Sequence, residues 1–206
     1  MKLKYMLPLC VGFLTLTVSA QRIEAFEVNE DWIEKVAKAA PQQPEAEPLQ
    51  DRKMLVFGLH TGFKHWVIPH VDEVMKVLGE KSGAFEVELT KDVRKFSKKS
   101  LEQYDAVLIN NACSVGPRRD LILDALEKDE TLSQKKREKL AAQLEADLIA
   151  YVDQGGGLMV VHGGIVMQNN SMAFSEMVGG SFDYHPPQQE IKVELVDAGH
   201  PMVKAF

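Results

Sequence analysis

Four histidines of this sequence fall just after apolar runs of strand length or in loops expected beside them. They are His60 and His65 in GLHTGFKHW, His162 in HGGIVMQNN and His185 in SFDYHPP. Imidazole titrates nearest neutrality, so it serves as general acid, general base or metal ligand. A single histidine at a strand end is more often a hydrogen-bonded structural residue. Convergence of several on one cleft is what would give them chemistry. His70, about one turn into a helix, and His200, near the far end of the chain, stand apart from this set.

The spacing contains no tight metal motif such as HExxH, so no metal ligand and no cofactor are assigned; a divalent metal is a secondary expectation. Asp183, accompanied by Tyr184 and His185, is a better acidic partner than Glu176 on its short helix. Val161-His162-Gly163 occupies a strand-to-turn position where a nucleophile elbow would carry serine or cysteine, which disfavours an acyl-enzyme hydrolase there. Cys113, after a different strand, reads as a buried structural thiol. Gly155 to Gly157 end a helix and enter a strand, the reverse of the order that aims backbone N–H groups at phosphate.

The elements that must position these residues alternate along the chain. MLVFGLH (54–60) is a continuous apolar run, and VDEVMKVL (71–78) places Val71, Val74, Met75 and Leu78 on one helical face. FEVELT (85–90) and YDAVLIN (104–110) read as further strands, with a short helical stretch near 100–103 between them. The longest helix follows, with Ser133 as cap, Leu140, Leu144, Leu148 and Tyr151 on one face, and Gly155 at its end. LMVVHG (158–163) is the fourth strand, SMAFSEMVGG a short helix, and EIKVELVD (190–197) a fifth strand whose alternation suits a sheet edge. Buried strands separated by helices imply right-handed crossovers and a doubly wound, mainly parallel α/β sheet. The carboxyl ends of such strands form one rim, where ligands bind.

Composition bounds the function. The chain has 206 residues, 45% of them hydrophobic, and a formal net charge of −6, enough to bury one core and without a basic track for nucleic acid. Residues 1–20, MKLKYMLPLCVGFLTLTVSA, have Lys2 and Lys4, a short apolar stretch and a small-residue cleavage site. They read as a secretory signal peptide, predicting a secreted or periplasmic protein with no stable membrane insertion after cleavage. Cys10 lacks the preceding small residues of a lipidated cysteine. Residues 21–52 read as a helix capped by Asn29 and a Pro-rich linker, and 53–206 as the main domain.

GFKHWVIP, FEVELTKD, LEQYDAVLINN, GGGLMVVHGG, FSEMVGGSFDYHP and AGHPMVKAF occur in that order over residues 52–206. Together they resemble the ThuA-like, or trehalose-utilisation, family. That resemblance implies a flavodoxin-like fold akin to class I glutamine amidotransferases, without their catalytic cysteine. His162 matches the family's strand-end histidine, His65 its GF-basic-His motif and His185 its F-x-x-HP motif. It implies a small-molecule carbohydrate as partner, with His162 and His65 in acid/base roles and His60, Asn111, Gly163, Asp183 and His185 holding substrate.

Two departures keep a second reading open. GGIVMQNNSMAF replaces the family's alanine-rich turn and aromatic segment, and the family continues past this point with further strands. A chain incomplete at its C-terminus, serving as a non-catalytic sugar-binding or accessory domain or an inactive fragment, is the alternative. The oligomeric state is not readable from the sequence.

Overall fold

The computed structural model describes residues 24–187, 189–200 and 203. The expected signal peptide lies outside the described residues, as does part of AGHPMVKAF. No helix among the described residues is long and apolar enough to cross a membrane.

Four parallel strands form the sheet: β1 (Lys53–Phe57), β2 (Glu86–Thr90), β3 (Ala106–Asn110) and β4 (Gly157–Val161), in the order β2-β1-β3-β4. Leu55, Val56 and Phe57 of β1 and Val107, Leu108 and Ile109 of β3 are fully buried. That is why these runs are continuously apolar: helices cover both faces of the central strands. The register sets Phe57 beside Ile109, Ile109 beside Val160 and Asn110 beside Val161, so the carboxyl ends of β1, β3 and β4 finish side by side.

One helix covers the first face. The helix α2 (Ile68–Ser82) starts with proline in its first turn and ends at Gly83, whose left-handed backbone (φ 65°) lets its N–H reach the Gly79 carbonyl. It packs Met75 on Val56 and Leu108. The other face carries a 3₁₀ turn (Val93–Phe96) and the helices α3 (Lys98–Leu101), α4 (Leu121–Leu126), α5 (Gln134–Asp153) and α6 (Met172–Val178). Leu144 and Leu148 of α5 and Phe174 of α6 are fully buried against Leu55, Phe57 and Ile109, each contributing about 2 kcal/mol of apolar burial. Ser133 stands at the start of α5, but its side chain makes no capping bond.

The remaining helix, α1 (Glu30–Ala39), is capped by Asn29, which accepts from the Trp32 N–H at 3.0 Å. It lies on α2 through an aromatic cluster. Phe26, Trp32 and Trp66 surround His70 edge-on, with ring centroids 4.7, 4.9 and 5.0 Å away. His70 is buried, and neither of its ring nitrogens has a hydrogen-bond partner.

The expected fifth strand does not form. Residues 190–197 carry no strand and pair with none among the described residues, and Ile191 and Val193 are 74% and 76% exposed. Alternation specifies which side chains a strand would bury. It does not supply the neighbouring edge whose N–H and C=O groups must complete the ladder.

Candidate active site

The crossovers create the site. The chain leaves β1 for α2 on one face and leaves β3 for α4 and α5 on the other, so the connections diverge between the adjacent strands β1 and β3. In a sheet of this order a crevice opens at that switch point.

Two polar residues end β3 there. Asn110, fully buried, donates through Nδ2 to the Ile68 carbonyl at 2.9 Å and to the Asp72 carboxylate at 2.8 Å, tying the first turns of α2 to the sheet. Burial raises the Asp72 pKa above the ordinary carboxyl value, against the opposing effect of that Asn110 bond. Asn111 adopts φ 50° and donates to the Asn110 side-chain oxygen at 2.9 Å, while its own Oδ1 is buried without a partner.

At the end of β4, His162 sits at φ 44°, a left-handed conformation that costs a non-glycine residue of order 1 kcal/mol and re-aims its side chain. His162 is exposed, and the 3₁₀ turn His162–Val166 follows at once. The backbone is therefore a sharp strand-to-turn elbow presenting an imidazole. The next residue, Gly163, is buried with no room for a side chain: a Cβ there would lie 2.6 Å from the Cys113 sulfur and 2.7 Å from Nε2 of His65.

His65 enters from the loop after β1. That loop is held by the Cys113 carbonyl, which accepts from the N–H groups of Thr61 and Gly62, both at 2.9 Å. A second clasp comes from Asp124 on α4, almost wholly buried. It accepts from the Thr61 hydroxyl at 2.7 Å, from the Val115 N–H at 3.1 Å and from Nε of Arg118 at 3.0 Å. So held, half-buried His65 meets His162 edge to face with ring centroids 4.7 Å apart, touches Phe63 at 4.8 Å, and brings Nε2 to 3.3 Å from Cys113 Sγ.

Burial, and secondarily the neighbouring His162, His185 and His60, push the His65 pKa below its ordinary 6.5. The ring is therefore neutral at pH 7 and competent to exchange a proton. Burial pushes the Cys113 thiol the other way, above its usual range, so it is protonated and a poor nucleophile.

The structure thus brings His65, His162 and Gly163 into contact and sets Asn111 on the adjoining strand end. His60, with Nδ1 buried and unpartnered, and His185 stand close enough for their charges to act on His65. His185 is exposed and rests against Phe182 at 4.9 Å. Phe182 is itself pinned by two backbone bonds to the Asn169 side chain at 2.6 and 2.8 Å. Asp183 is exposed and makes no hydrogen bond or ion pair with a described residue.

Cys113 as a neighbour of His65, Asp72 and the Asp124 clasp are additions that sequence reading did not contain. Among the described residues, no three His, Cys, Asp or Glu side chains are grouped to hold a metal ion. Two cavities of about 710 and 810 Å³ lie beside the linker and Phe85; neither is lined by a rim histidine.

Compared with known proteins, residues 53–206 match the model of the ThuA family, described as trehalose utilisation. No curated protein and no solved structure matches the chain.

Proposed function

This chain belongs to the ThuA, or trehalose-utilisation, family, and from that premise we propose that it binds a sugar or keto-sugar at the strand-end rim and moves a proton on it. His65 and His162 are the catalytic pair in this reading. Asn111, His60, His185 and Gly163 shape the binding surface, and exposed Asp183 meets substrate as a hydrogen-bond acceptor. The signal-like residues 1–20 support export to the periplasm or beyond.

The observation that carries the reading is the 4.7 Å contact between two imidazoles of unlike surroundings, one exposed on a left-handed elbow and one half-buried and neutral. Environments that differ across a pair of titratable groups are how acid and base roles are divided. A keto-sugar isomerase or a hydrolase is the reaction class this suits, since both need a base of near-neutral pKa beside a carbon-bound or hydroxyl proton.

The test is calorimetric titration with trehalose and with keto-sugars, followed by product analysis. Turnover should fall by about 10²-fold or more in His162→Ala and in His65→Ala. Binding without any product, unaffected by either change, would instead identify an accessory sugar-binding domain. The lack of aromatic residues in GGIVMQNN favours that second reading.

A further inference from the structure

The geometry points to Cys113 as a positioning residue: its thiol donates to Nε2 of His65 and so keeps the ring proton on Nδ1. Three observations support this. The sulfur lies 3.3 Å from Nε2 of His65 and 3.4 Å from the Gly163 carbonyl, with no other side chain bonded to it among the described residues. The donor and the loop that carries His65 are tied together. Cys113 is anchored by its own N–H donating to Asn111 O at 2.9 Å and by its carbonyl accepting from Thr61 and Gly62. The missing side chain of Gly163 leaves the space in which sulfur, imidazole and carbonyl converge.

The direction of the bond follows from chemistry. The thiol, kept protonated by burial, has one hydrogen and two acceptors within reach; the unprotonated imidazole nitrogen at 3.3 Å is a stronger acceptor than the Gly163 carbonyl at 3.4 Å, and sulfur itself is a weak one, so the hydrogen goes to Nε2. With Nε2 occupied as acceptor, the nitrogen left for a ligand is Nδ1–H, a donor. A neutral imidazole in that tautomer polarises a carbonyl oxygen instead of abstracting a proton.

This assigns the roles within the proposed site and rests on that reading for its catalytic consequence. The substrate C–H or O–H bond breaks toward exposed His162, which becomes imidazolium. The charge left on the substrate oxygen is met by His65 Nδ1–H. Cys113 touches no reacting atom.

The test is long-range ¹⁵N–¹H correlation on the full chain with ¹⁵N-labelled histidine, the His65 signals being identified by their loss in His65→Gln. His65 should show the Nδ1–H form at pH 7.5. Cys113→Ala should convert it to Nε2–H, and Cys113→Ser, whose hydroxyl still donates, should restore Nδ1–H. An Nε2–H ring in the unaltered chain overturns the inference, and that measurement stands even if Cys113→Ala fails to fold. An unchanged tautomer in folded Cys113→Ala also overturns it. None of these spectra needs substrate, so an absence of turnover would refute the proposed function and leave this inference standing.

Discussion

Thr61 and Asp124, 63 positions apart in the chain, are joined by a 2.7 Å hydrogen bond that fastens the His65-bearing loop to α4. The same carboxylate oxygen holds the Val115 N–H, so one nearly buried group fixes loops from two strands. Asp124→Ala should cost about 2 kcal/mol, because it leaves the Val115 N–H and the Thr61 hydroxyl unpaired. The Arg118 side chain is 40% exposed and also pairs with Glu127, so water and that partner absorb its charge and lower the cost of losing the ion pair. Urea unfolding measures this. Asp124→Asn, which retains an acceptor, should recover part of it.

His65 makes stability depend on pH in a definite direction. Its folded pKa lies below 6.5, so the unfolded chain binds the proton more readily. The contribution of this group is fully present above pH 6.5, declines as pH falls from 6.5 to the depressed folded value, and levels off below it. An NMR titration should place the His65 midpoint below 6.5. His162→Ala should raise that midpoint only partway, since burial is the larger cause.

At the elbow, function and stability oppose each other. His162 holds φ 44° without being glycine, so His162→Gly should relieve strain while adding unfolded-state freedom. The net change should be neutral to stabilising, by up to about 1 kcal/mol. A thermal melt that moves little or upward, together with lost turnover, is the expected outcome. A loss of several kcal/mol would show that the imidazole itself holds the turn.

His70 is predicted to be replaceable. It is buried among Phe26, Trp32 and Trp66 with two unpartnered ring nitrogens, and buried polar atoms without partners cost free energy that an apolar ring of similar shape avoids. His70→Phe should stabilise by about 1 kcal/mol in denaturant unfolding. His70→Ala should destabilise by leaving a cavity beneath the helix Glu30–Ala39.

The four parallel strands were legible because burial on both faces leaves uninterrupted apolar runs, as in Leu55 to Phe57 and Val107 to Ile109. His162 was legible at a strand end because the apolar run stops at Val161 and the turn His162-Gly163-Gly164 follows. The contact of Cys113 with His65 spans 48 positions and depends on two loops meeting. Reading Cys113 as buried was sufficient for its exposure and silent about its neighbour. α4 is six residues long, too short for periodicity to reveal it, and with it the Asp124 clasp went unread. In residues 190–197 the alternating pattern was present but no partner strand stands beside it among the described residues. Local patterns encode what a segment would bury; the partner is a property of the whole chain.

The divergence of the connections between β1 and β3 means that the mouth of the site is drawn by the routing of the main chain. The two imidazoles at that mouth, His65 and His162, sit on loop and strand tips outside the buried apolar cluster of the sheet. A scaffold arranged in this way can exchange its reactive groups one at a time, so a change of chemistry need not wait for a change of architecture.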